Sequence, residues 1–199
     1  MKRTAWTLEL ALLLGMALTV LCAVTRFDAD CHTIEQSVVR LHVIANSNSD
    51  EDQALKLAVR DALLKEGAEA FSANETKEDV LRTLASQLPR FQQTAEAVIR
   101  KAGHDDPVTV TLGKHEFPTR TYDDVTLPAG TYDALRVIIG RGEGKNWWCV
   151  MFPPLCLPAA EARRTPEDVL NPAALFTAEQ DPHYEMRFWI VEKLRQWGL

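Results

Sequence analysis

The 199-residue chain holds 22 Lys+Arg against 28 Asp+Glu, a formal net charge of −6, with 46% hydrophobic and 25% charged residues. That acidic balance argues against nucleic acid or an anionic membrane surface as the main partner. The length suffices for one domain with a proper core, and no repeat or low-complexity tract points to disorder.

Lys2-Arg3 precede an apolar run from Ala5 to Val24, broken only by Glu9 and followed by Arg26. A short basic head before an apolar core of this length predicts a signal peptide or membrane anchor over residues 1–27. Leu21-Cys22-Ala23 is a poor cleavage site, because leucine stands where a small residue belongs, and Leu21 also spoils a lipid-attachment motif at Cys22. The remainder is read as exported. It carries 19 basic against 27 acidic residues, a formal charge of −8. Residues 28–37 read as a tether.

In Val38-Val-Arg-Leu-His-Val-Ile-Ala45, the residues Val39, Leu41, Val43 and Ala45 alternate against Arg40, His42 and Ile44, which predicts an interior strand. Asn46-Ser-Asn-Ser-Asp50 is turn chemistry, and Ser49 with Asp52 three residues on resembles a capping box. The helix that follows shows Ala54, Leu57, Ala58, Asp61, Ala62 and Lys65 at helical spacing, with Leu55, Val59, Leu63 and Leu64 widening its apolar face. A second helical stretch runs from Lys77 to Ala102 and is expected to divide at Pro89. Val80, Leu81, Leu84 and Leu88 face the core before that break, and Phe91, Ala95, Val98 and Ile99 after it. Gly103 is placed as a C-cap glycine.

Val108–Leu112 alternates as a strand, and residues 116–122 extend or pair with it, Pro118 being confined to an edge or bulge. Residues 127–131 form a turn before a strong strand from Tyr132 to Ile139. Trp147–Phe152 is another strand, ended by Pro153-Pro154. Residues 157–180 read as a linker, and Asp181-Pro182 caps a final helix over 181–199 whose stripe is Tyr184, Phe188, Val191 and Leu194. The order predicts an α/β (α+β) sandwich with a core domain over residues 38–156, its helices packed on a mostly antiparallel sheet.

The glycines at 140, 142 and 144 invite a nucleotide-loop reading, but no helix follows them to aim amides at a phosphate, and a flexible hairpin loop is expected. Cys149 has three readings: a nucleophile with His115 or His42 as base, half of a disulfide with Cys156 (Cys31 being the rival partner), or a structural free thiol. An apolar setting favours the disulfide, whose loop entropy corresponds to roughly 2–3 kcal/mol. The histidines lack metalloprotease spacing, so no metal or cofactor is expected, and no catalytic set stands out. Trp147 and Trp148 point to opposite faces of a strand; one is then core, and the other is either an exposed interface anchor beside Arg141, Lys145 and Asn146 or buried against helices as well.

Four segments in order, residues 40–62, 117–122, 128–136 and 146–156, closely resemble the stage II sporulation protein R family. The resemblance implies a protein made in the forespore of an endospore-forming bacterium and exported to the space between the two membranes. Its partner would be a membrane-embedded aspartic protease of the mother cell, stage II sporulation protein GA, which removes the pro-segment of pro-sigma E. The family motifs do not say which residues touch that protease. Chemistry nominates Arg120, Asn146, Trp147 and Trp148, arginine and tryptophan being strong anchors. The competing expectation is an exported enzyme acting on the cell wall, with Cys149 or His115 in its site.

Overall fold

The computed structural model describes residues 2–71, 75–122, 125–153 and 193. The linker read over 157–180 lies outside the described residues, as does the helix read over 181–199 apart from Lys193.

The first helix, α1 (Lys2–Ser37), is long and apolar enough to cross a membrane between Trp6 and Ser37. It also continues through residues 28–37, where a tether was expected. Phe27, Cys31, Ile34 and Val38 are buried, and Ile34 and Val38 pack in one cluster with Phe117, Tyr132 and Val150 of the sheet. Their spacing of four, three and four residues is that of one helix stripe, and the polar residues between them mask the stripe in the sequence.

Strand β1 (Val39–Ile44) is buried along its whole length, because it lies inside a four-stranded sheet of order β2-β5-β1-β6. The other members are β2 (Val108–Phe117), β5 (Gly130–Ile139) and β6 (Asn146–Phe152). The sheet is α+β in setting but mixed in direction. β1 runs parallel to β5 and antiparallel to β6, and β5 runs antiparallel to β2. Two short strands, β3 (Arg120–Tyr122) and β4 (Val125–Leu127), pair separately, and Pro118 falls between β2 and β3 where no ladder bond is needed.

Helices α2 (Asp50–Ala70) and α3 (Lys77–Lys101) cover one face of the sheet. Ser49 caps α2 as expected, its Oγ accepting the amide of Asp52 at 3.1 Å. The buried face of α2 is Leu55, Val59, Leu63 and Leu64, whereas Ala54, Ala58, Asp61 and Lys65 are exposed. Both stripes have helical spacing, and leucine and valine prevail because they remove far more apolar area from water than alanine does. α3 starts at a capping box of Thr76 and Asp79 and ends at Gly103, whose φ of 83° closes the last turn. There the His104 amide donates to the Ile99 carbonyl and the Gly103 amide to that of Arg100, which satisfies two orphan acceptors.

Pro89 does not divide α3. Pro89 and Ala85, the residue whose carbonyl loses its partner, are both exposed, so water replaces the missing bond. Leu84 and Phe91 on either side are anchored in the same core. Packing thereby outweighs a proline cost of roughly 3 kcal/mol. Pro89→Ala is accordingly expected to raise the unfolding free energy by about 1–3 kcal/mol, read as a higher urea midpoint at unchanged slope. No gain would mean that the helix is strained there for another reason.

Candidate functional site on the open sheet face

Because side chains alternate along strands, the sheet has a second face that α2 and α3 do not reach. Ile34 and Val38, with Leu127, Tyr122 and Val125 of the β3–β4 pair, cover one end of it through Phe117, Tyr132, Ala134 and Val150. The strand registers place four residues in one row across the rest: Thr111 on β2, Arg136 on β5, His42 on β1 and Trp148 on β6.

His42 is the pivot of this row. Trp148 stacks on it with ring centroids 3.8 Å apart at 17°, and Phe117 meets the Trp148 ring edge-on at 4.9 Å. The Nε2 of His42 lies 2.8 Å from Oδ1 of Asn146, which assigns the proton to Nε2 in the neutral ring. Burial under the tryptophan pushes His42 down to about 4, and Arg136, His115 and Arg40 add to the shift. His115 is lowered for the same reasons, burial first and Arg136 second.

A base whose folded value lies below its unfolded 6.5 binds more protons when unfolded. Stability from His42 is therefore fully present above pH about 6.5 and is lost as pH falls toward 4, by at most about 3 kcal/mol. Urea midpoints between pH 7.5 and 4.5 are expected to fall, with a flatter profile for His42→Gln. An unchanged slope in that variant would place the titrating group elsewhere.

Of the four nominated residues, Asn146 and Trp148 meet around His42. Trp147 points to the other face, where it packs on the helix-side core with the Arg60 guanidinium 4.3 Å from its ring. Arg120 is exposed on β3, near enough to Arg40 to act on its charge. Cys149 is wholly buried beside Leu41 on the helix side, and Cys156 lies outside the described residues. His42 and His115 belong to the opposite face, so the sheet separates Cys149 from both histidines that a nucleophile reading requires.

The loop from β5 to β6 is not a hairpin, because β1 lies between the two strands. It crosses the end of β1 and is pinned there, with Gly140 and Gly142 at φ 58° and 66°. The amides of Glu143 and Gly144 donate to the carbonyls of Asn46 and Ala45, at 3.2 and 2.9 Å. Arg141 N donates to Oδ1 of Asn46 at 3.0 Å and Lys145 N to Oδ1 of Asn48 at 2.8 Å. Amides that a phosphate site would aim outward are thus consumed by the 45–48 turn. Lys56 joins in, its buried ammonium donating to the Lys145 carbonyl at 3.1 Å. Asn46 and Asn48 are site-positioning residues that the sequence showed only as turn chemistry.

Asp52, His104 and Asp106 offer ligand atoms within 4.8 Å of one another. Asp52 already accepts from Nδ2 of Asn46 at 3.2 Å in the first turn of α2, where the helix dipole favours a carboxylate. His104 lies 3.3 Å from Asp106 and 3.3 Å from Glu51, which links the segment after α3 to the first turn of α2.

The family described as stage II sporulation protein R matches residues 35–162. The protein of that name from Bacillus subtilis (strain 168) is 40% identical over 123 residues, which cover 62% of this chain and 55% of that protein. The chain thus spans about half the length of the curated relative it matches. No solved structure matches it.

Proposed function

We propose that this chain, which belongs to the stage II sporulation protein R family, is exported from the forespore and activates a membrane-embedded aspartic protease of the mother cell. That protease, stage II sporulation protein GA, then processes pro-sigma E. The observation that carries the proposal is the half-buried Trp148, stacked on a neutral His42 and flanked by the exposed Asn146 on the sheet face that α2 and α3 leave uncovered. A large aromatic ring held rigidly beside polar groups is an interface anchor rather than a reaction centre. The apolar α1 supports the compartment, since it suits a signal or anchor and runs without a break into the folded domain.

Binding activates only if the protein prefers the active arrangement of the protease to the inactive one. Processing of pro-sigma E in cells that carry the protease, with and without this protein exported, tests the reading. Cleavage that depends on export supports it, and a folded, exported protein without cleavage refutes it.

The oxidising side of the membrane also suits a disulfide between Cys149 and Cys156, which we assign as structural. The complete burial of Cys149 in the apolar helix-side core supports it, since that is the setting of a structural sulfur rather than a reactive thiolate. Replacing both cysteines by serine is expected to lower stability by about 2–3 kcal/mol, with signalling recovered at low temperature. Complete loss of signalling in a folded variant would instead implicate the sulfur in function.

A further inference from the structure

Among the described residues, strand β2 is an edge strand, paired with β5 alone. Unpaired edges invite other chains, and folded proteins plug them. Among the described residues, the plug covers only part of the edge. The Gln92 side chain of α3 donates to the Val108 carbonyl at 2.6 Å and accepts the Val110 amide at 2.9 Å. Outward groups at Val108 and Val110 mean that β2 turns the N–H and C=O of every even-numbered residue away from β5. The pairing with β5 runs without a shift to Phe117, so Leu112, Lys114 and Glu116 present the same groups beyond the reach of Gln92.

The side chains beside this length of edge have a definite charge. Odd-numbered residues of β2 face the open side of the sheet, with Thr111, Gly113 and His115 in line. Nε2 of His115 and Nε of neighbouring Arg136 are buried donors or acceptors without a hydrogen-bond partner. Nearby Asp133 faces the helix side and takes Lys77 and Lys114, at 2.8 and 3.7 Å. Gly113 leaves room between them, since a Cβ there would meet only Nε2 of His115 at 3.8 Å. Arg136 also stands in the row that ends at Trp148, which makes edge and aromatic site one continuous surface.

We propose that the β2 edge from Leu112 to Glu116 is a strand-addition site for an extended segment of a protein partner, with a carboxylate placed over Gly113 toward Arg136 and His115. Main-chain bonds to the three outward residues supply the attachment, and the carboxylate sets the register. The proposal deepens the reading above and rests on it for the partner's identity.

The test uses the 15N-labelled full chain in detergent micelles, with acetyl-Val-Glu-Val-Glu-Val-amide as probe and its Gln counterpart as control. The Glu peptide is expected to shift and slow exchange at the amides of Leu112, Lys114 and Glu116, and to bind about tenfold more tightly than the Gln peptide. Lys114→Pro, which removes an outward N–H and no ladder bond, should abolish binding, and Lys114→Ala should retain it. Should the proline variant unfold, Gly113→Val keeps every amide and fills the space, so it should weaken the Glu peptide alone.

Silent amides, equal binding of the two peptides, or protection that grows with protein concentration and no peptide would overturn the proposal, the last by giving the edge to a second copy. In the pro-sigma E assay, wild-type processing that Lys114→Pro leaves intact defeats the edge and spares the signalling reading. Without wild-type processing the signalling reading falls, and the peptide titration still decides the edge.

Discussion

Trp148→Ala is expected to cut pro-sigma E processing by well over tenfold while the domain stays folded. The ring is half-buried, so its removal should cost about 1–3 kcal/mol, less than full burial of a tryptophan would imply. It is nevertheless the lid of His42, at 3.8 Å, and its loss should let that histidine rise from about 4 toward its ordinary value. An NMR titration of His42 then reports whether the lid has gone, independently of signalling. Trp147→Ala is the companion, expected to cost about 3 kcal/mol because its ring packs on the helix-side core under Arg60. Equal unfolding of both variants would return Trp148 to the core and remove the anchor from the proposal.

The second large effect concerns Arg40, which is 0% exposed and whose guanidinium lies 4.1 Å from the Phe117 ring centroid and 4.9 Å from that of Tyr132. It donates to the Tyr122 hydroxyl, but its Nε and one terminal nitrogen have no hydrogen-bond partner. Burial lowers its affinity for its proton, and the same contact with Arg40 opposes the rise that burial imposes on Tyr122. Arg40→Ala is expected to cost about 3–5 kcal/mol, because it opens a cavity under the β3–β4 pair and releases Tyr122. Arg40→Met keeps the bulk and removes the unpartnered donors, so it should match the wild type or exceed it by about 1–3 kcal/mol. Urea unfolding of the two separates packing from charge. Equal destabilisation would show that the cation over the aromatic rings is itself worth more than its desolvation costs.

Features that depend on a few neighbouring residues are legible in the sequence. β1 follows from its alternation, the start of α2 from Ser49, the end of α3 from Gly103, and the opposed faces of Trp147 and Trp148 from the strand period. The apolar N-terminal segment, the α+β class and the family likewise lie in local composition and motif. Each such signal acts within one turn or one pleat, where the covalent chain itself sets the geometry.

Tertiary structure alone decided the rest. Which of two helical stripes on α2 turned inward depended on the surface awaiting it, and so did the burial of Cys31 and Ile34 where a tether was expected. Pro89 stayed inside α3 because Leu84 and Phe91 are held by a core that local propensity does not report. The parallel pairing of β1 with β5 joins residues more than ninety positions apart, and it alone puts Arg136 beside His42 and sends the glycine loop across Asn46. His42 carries no local sign of its depressed pKa, since the tryptophan that buries it arrives from β6. Contacts of such separation are chosen by the summed burial of the whole domain, so the function-bearing face exists only once the sheet has closed.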